Sequence, residues 1–154
     1  MEIQNMNGKI AGESFSNGFN CAQSVVSTFG PGLGISRELS LKLANGLGAG
    51  GNYNGKICGA VMGAFIVLGL KYGTDKTDNI ETKELLRSKL DAFSESFIKE
   101  FGSIECNGLL KTDISKPENI QRLRDEQVFQ NFCTGVVCKA AEMVENILTG
   151  TDSQ

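Results

Sequence analysis

The sequence predicts an all-α fold, a single compact domain of about five helices around a buried central helix. Three observations carry this. Apolar residues recur at three- and four-residue steps, as in Leu86, Leu90, Phe93, Phe97 and Phe101, the spacing of one helix face. No window shows sustained alternation of apolar and polar residues bounded by turn signals, so strands are not expected. Finally, residues 57–70 (ICGAVMGAFIVLGL) are apolar all round, which puts them inside a helical core. A chain of 154 residues, read as one domain over 1–154, is long enough to bury such a core without disulfide staples.

Taken in order, Phe15, Phe19, Ala22, Val26 and Phe29 make one stripe from about residue 10 to 29, with Cys21 beside it. Gly30-Pro31-Gly32 stops that helix, because proline has no amide donor and glycine takes turn conformations readily. Ser36 fits the N-cap of a second helix carrying Leu39, Leu43 and Leu47 on one side. Residues 46–55 are too rich in glycine for a helix interior and must turn tightly or let another backbone come close. The central helix follows over about 56–72. Within and before it Gly55, Gly59 and Gly63 recur every four residues, a ridge without side chains that suits a neighbouring helix, a bound group or a second copy of the chain. A homo-oligomer is therefore among the expectations.

Ile80–Phe101 is the cleanest amphipathic stretch, capped by Gly102, and Cys106 falls in the connection beyond it. Ser115-Lys-Pro-Glu118 has the form of a capping box with proline in the first turn. It opens a last helical region to about residue 148, with Phe129, Cys133, Val136, Ala140, Met143 and Ile147 on one face.

Composition excludes several functions. A net charge of −3, with both signs mixed along the chain, offers no footprint for nucleic acid. The N-terminal MEIQNMNGKI lacks the basic and apolar regions of a signal peptide, and the run at 57–70 falls short of the ~20 residues of a spanning helix. A cytoplasmic protein without membrane insertion is expected. There is no histidine, so no Ser-His-Asp or Cys-His pair and no imidazole ligand can form. The match of Gly50-Gly-Asn-Tyr-Asn-Gly55-Lys56 to a phosphate-binding loop lacks the following Ser or Thr and the preceding strand, and reads better as the approach to a helix.

What remains is sulfur. Five cysteines stand at 21, 58, 106, 133 and 138, an odd and scattered set that argues against a disulfide framework and for buried thiols or a functional thiol site. Cys58 has the most specific case: the free amides and dipole of a helix N-terminus stabilise a thiolate, and Lys56 adds to that. A buried cysteine acting as a small hydrophobe explains it equally well. Taken singly, Cys21, Cys106 and Cys133 read as core thiols, and their spacings of 37, 48 and 27 residues match no zinc-finger or ferredoxin pattern. Cys133 and Cys138 point about 140° apart on one helix and make a poor local pair.

Together, however, Asn20-Cys21-Ala-Gln-Ser-Val, the glycine-rich approach, Cys58-Gly-Ala-x-x-Gly63, Leu68-Gly-Leu-Lys-Tyr-Gly73, Cys106, and Cys133 ahead of Ala140-Ala-Glu resemble the C_GCAxxG_C_C family of small redox-active proteins over nearly the whole chain. The resemblance implies that Cys21, Cys58, Cys106 and Cys133 are the family's four cysteines and that Cys138 is an extra. The chain departs from the pattern at Asn107-Gly108, where a charged pair is more usual. A helical protein with a cysteine-based redox role follows. In the leading expectation Cys58 is the activated thiolate, one of Cys21, Cys106 or Cys133 resolves it as a disulfide, and a redox partner of unknown identity supplies or takes the electrons. In the alternative, Cys21, Cys58, Cys106 and Cys133 form an all-sulfur shell for an iron-sulfur cluster or zinc. A third reading makes all of them core.

Overall fold

The computed structural model describes residues 6–151. Among them the fold is all-α, but with eight distinct helices rather than about five around one central helix. They are α1 (Met6–Ser16), α2 (Cys21–Phe29), α3 (Arg37–Ala44), α4 (Gly59–Tyr72), α5 (Ile80–Phe101), α6 (Cys106–Leu110), α7 (Pro117–Asp125) and α8 (Thr134–Thr149).

Two expected helices are broken and one connection is itself helical. The apolar stripe over 10–29 is interrupted at Gly18, whose φ of +109° a side chain would resist, and a new helix starts at Asn20. The Asn20 side chain accepts the Gln23 amide at 2.9 Å while the Gln23 side chain accepts the Asn20 amide at 3.0 Å, a reciprocal capping box. Likewise the last helical region breaks at Gln127 (φ +56°) between α7 and a π-helical turn, Phe129–Cys133, that leads into α8. The connection that holds Cys106, expected as a loop or short turn, winds into the five-residue α6. Ser36 does cap α3, accepting from the Leu39 amide at 3.0 Å. Ser115 does not cap α7; its hydroxyl donates to Asp113 Oδ1 at 2.6 Å, and Pro117 opens the helix.

The core is shared among helices. α4 packs against α2, α8 and α5, whereas α1 lies mainly on α8 and α2. α4 buries Val61, Ala64, Val67 and Leu68, yet Leu70 is exposed, so an apolar run need not be enclosed on every side. On α3 the expected leucine side faces solvent: Leu39 and Leu43 are exposed, and Ser40 and Ala44 are buried in their place.

Of the glycine ridge, Gly59 and Gly63 meet α2. A Cβ at Gly63 would stand 2.9 Å from the Ala22 carbonyl oxygen and 3.1 Å from Val25 Cβ, so the two helices approach to backbone contact there. Gly55 lies before the helix, at φ +70°. From α5, Phe93 and Phe97 fill the core, and rings continue from Phe65 through Phe93, Phe97 and Phe101 to Phe132 with successive centroids 6.4, 5.9, 4.8 and 6.4 Å apart. Such contacts contribute about 0.5–1.5 kcal/mol each beyond burial and tie α4 and α5 to the turn that carries Cys133. No helix among the described residues is long and apolar enough to cross a membrane.

Candidate functional site

Three local devices bring the family-pattern cysteines toward one point. The first is the start of α2. The capping box makes Cys21 the first residue of that helix, and Asn20 is itself tied down by donating from Nδ2 to the Asn45 carbonyl at 2.9 Å. Gly48 leaves the room this needs, since a Cβ there would lie 2.7 Å from Asn20 Cβ.

The second device is the hook between α3 and α4. Residues 49–53 all have positive φ, at +54°, +72°, +81°, +49° and +63°, and three of them, Ala49, Asn52 and Tyr53, are not glycine. Left-handed geometry costs a residue with a Cβ about 1–2 kcal/mol, so the surroundings must impose it. Hydrogen bonds from the Gly55 amide to the Ala49 carbonyl (3.2 Å) and from Lys56 to Gly50 (3.0 Å) close the hook. Gly50 permits that closure, for a Cβ there would meet the Lys56 nitrogen at 2.4 Å. The glycine-rich segment that resembled a phosphate loop is thus bonded to itself.

The third is a short antiparallel bridge between Ile57 and Glu105. Cys58 donates its amide to Ile104 at 2.7 Å and Cys106 donates to Lys56 at 2.6 Å, which sets the two cysteines diagonally across the bridge although 48 residues separate them. Asn107 secures the arrangement: its amide donates to Gly55 (3.1 Å) and its side-chain oxygen accepts from Ile114 (2.9 Å). The departure from the family pattern at Asn107-Gly108 therefore builds the turn that orients Cys106.

Cys21, Cys58, Cys106 and Cys133 all line one small cavity of about 20 Å³, closed by Leu109, Leu110, Phe132, Val136 and Val137. That volume admits about one water-sized group. A wider cavity of about 220 Å³ adjoins it and reaches Cys21, Cys106 and Cys133, but not Cys58. Cys58 and Cys106 are buried, Cys21 and Cys133 half-buried. Cys138 stands apart between α1 and α8, where Gly12 makes room for its sulfur.

Burial governs the protonation of these thiols. It pushes Cys58 well above the ordinary range, with the neighbouring Cys21 and Cys106 adding to the shift; the amides of Ala60 and Val61 oppose it, but the sulfur makes no cap hydrogen bond. The lowered pKa expected at Cys58 is not found, because desolvation of the anion outweighs the helix N-terminus. Burial raises Cys106 to about 12, with Cys21 contributing, and raises Cys133 with help from Cys21 and Cys106. Cys21 is also raised by burial, yet more amides act against the shift than at any other of the four: those of Ala49 in the hook, Cys21 and Ala22 in its own helix, and Ala60 in α4.

The sequence model of the family described as "Putative redox-active protein (C_GCAxxG_C_C)" matches residues 19–147. The chain belongs to this family. C_GCAxxG_C_C membership carries a general cysteine-based redox role. No curated protein and no solved structure matches the chain.

Two finer expectations are corrected. The described cysteines are all free thiols, with no disulfide among them. Nor do any three Cys, Asp or Glu side chains among the described residues group so as to hold a metal ion, so the zinc and iron-sulfur readings of Cys21, Cys58, Cys106 and Cys133 do not fit the site. The four thiols share walls of a cavity without surrounding one ligand position.

Reading the sequence missed Cys21 as a helix-terminal thiol, although Asn20-x-x-Gln23 is a visible capping pattern. It also missed Tyr53, Arg124 and Phe129 as walls of the wider cavity, and no local signal marks them.

Proposed function

We propose that this protein carries out thiol-disulfide exchange, with Cys21 as the thiol that meets the external disulfide and Cys58 or Cys106 as the second thiol. The observation that carries the reading is the convergence of four cysteines from distant parts of the chain on one cavity, three of which, Cys21 among them, also line the wider cavity. Burial raises the Cys21 thiol, and four backbone amides around it act against that shift, in favour of the nucleophilic thiolate.

The free thiols are then the reduced protein. Cys21 loses its proton and attacks one sulfur of the incoming disulfide, whose S–S bond breaks to release a thiolate that takes up that proton. The second protein thiol, deprotonated in turn, attacks Cys21 Sγ in the mixed disulfide and releases the other half as a thiol. Two electrons pass from protein to substrate. The reading goes with a cytoplasmic setting, where thiols stay reduced between turnovers.

The test uses reduced protein in a Cys138→Ala background, so that only the four thiols remain, treated with bis(2-hydroxyethyl) disulfide. Two protein thiols should disappear per disulfide consumed, and Cys21→Ser should slow the first step by about two orders of magnitude, as expected when the attacking sulfur is lost. In Cys58→Ser or Cys106→Ser a mixed disulfide on Cys21 should accumulate and be visible by mass spectrometry. Reaction of Cys21→Ser at the original rate sinks the assignment, and inert thiols sink the reading.

A further inference from the structure

The wider cavity has a composition that the exchange reading leaves unused. Cys21, Cys106 and Cys133 line it, and its remaining lining is mostly apolar or aromatic, with Phe15, Leu110 and Phe129 beside the polar Asn20. Of the residues that line it, Arg124 alone is charged. Arg124 is exposed on α7 at the mouth, where Tyr53 also borders an adjoining hollow. Among the described ion pairs none involves Arg124, and no described side-chain hydrogen bond occupies its guanidinium. Its neighbour Arg122 is engaged, donating to Thr112 at 2.8 Å.

A cation standing free over a pocket of sulfur and aromatic rings, in a chain of net charge −3, is placed to receive an anion. The guanidinium presents a planar set of donors that matches a carboxylate in bidentate fashion. Tyr53 is held at φ +63°, an unfavourable geometry for a bulky residue, and Ala49 at φ +54°; both line the cavity, so backbone strain is concentrated in its wall. At about 220 Å³ the cavity lies below the usual range for drug-sized ligands, which points to a compact molecule.

We infer that the wider cavity takes a small disulfide bearing a carboxylate, with Arg124 pairing the carboxylate and Cys21 facing the sulfur. The inference rests on the exchange reading and names its substrate class. Attack by Cys21 breaks the substrate's S–S bond and frees one carboxylate-bearing thiol. The second protein thiol then releases the other, so the substrate gains two electrons and two protons and the protein is oxidised correspondingly.

Three disulfides of like shape test this: 3,3′-dithiodipropionate (anionic), bis(2-hydroxyethyl) disulfide (neutral) and cystamine (cationic). Second-order rates of thiol loss are measured with the reduced full chain. The dicarboxylate should react faster than the diamine, and Arg124→Glu should lower the ratio of the two rates by about tenfold or more, the factor that corresponds to loss of one charge-assisted contact. Arg124→Lys should keep most of the preference, and added salt should reduce it. A ratio that Arg124→Glu leaves unchanged, while all three disulfides still react, overturns the assignment of substrate class alone. Failure of all three to react overturns the exchange reading and this inference with it.

Discussion

Replacing Gly63 by alanine tests the contact on which the site is built. In a helix interior alanine is favoured over glycine by about 1 kcal/mol, so the change should stabilise α4 if nothing else were near. Something is near: the new Cβ would lie 2.9 Å from the Ala22 carbonyl oxygen, 3.1 Å from Val25 Cβ and 3.2 Å from Ala22 Cα. Two of these three atoms belong to backbone and cannot rotate aside, so α2 must move bodily away from α4. Overpacking of this kind costs about 1–3 kcal/mol, and with immovable partners the upper part of that range applies. The net loss is then about 2 kcal/mol, a fall in Tm of about 4–8 °C for a chain of this size.

Gly69, on the same helix, is the control. A Cβ there meets nothing within 4 Å, so Gly69→Ala should gain up to about 1 kcal/mol. Urea and thermal denaturation of the two variants beside the parent give both signs. A Gly63→Ala protein as stable as Gly69→Ala would refute the close approach of α2 and α4, and with it the placement of Cys21 beside Cys58.

Other outcomes are expected. Asn20→Ala removes the capping box and the bond to Asn45, and should cost about 1–2 kcal/mol by urea denaturation; iodoacetamide alkylation of Cys21 should become slower at neutral pH if the amides that favour its thiolate lose alignment. Gly12→Ala should destabilise by about 1–3 kcal/mol, because a Cβ there would stand 2.4 Å from Cys138 Sγ, and a double-mutant cycle with Cys138→Ala should recover about 1 kcal/mol or more of it; strict additivity would contradict the contact. With Cys106 raised from 9.0 to about 12, the native state holds this proton more tightly than the unfolded state. The resulting stability is present below about pH 9 and is lost progressively as pH rises toward 12. Denaturation curves from pH 7 to 10.5 should therefore fall less steeply with pH for Cys106→Ala than for the parent, and parallel curves would count against a buried neutral thiol.

Helical periodicity was legible wherever an apolar stripe faced a core, as in Ile80–Phe101, and Ser36 announced its cap correctly. Where a stripe runs across a break, periodicity misleads. Phe15 and Ala22 belong to different helices that happen to bury the same side, so the register carried over Gly18 without a visible fault. The leucines of α3 misled for the converse reason: nothing in the sequence says that Ser40 and Ala44 are the residues α2 covers. Of the site, the residue types were legible and their grouping was only implied by family resemblance. Cys106 reaches Cys58 through a two-strand bridge too short to leave a pattern, and Arg124 reaches the wider cavity from a helix whose surface otherwise reads as ordinary solvated charge.

The sequence by itself determined an all-α fold, sulfur rather than imidazole as the only nucleophilic chemistry of note, and membership of a cysteine-based redox family, because composition, local periodicity and motif are properties of short stretches. Only the tertiary structure decided that four cysteines share one cavity, that Cys21 but not Cys58 also lines the wider one, and that no metal-holding group forms among the described residues. Those outcomes depend on desolvation and on contacts between residues far apart in the chain. A thiol's pKa follows from what encloses it, and for Cys58 the enclosure by α2, α6 and the start of α8 prevailed over its place at the head of α4.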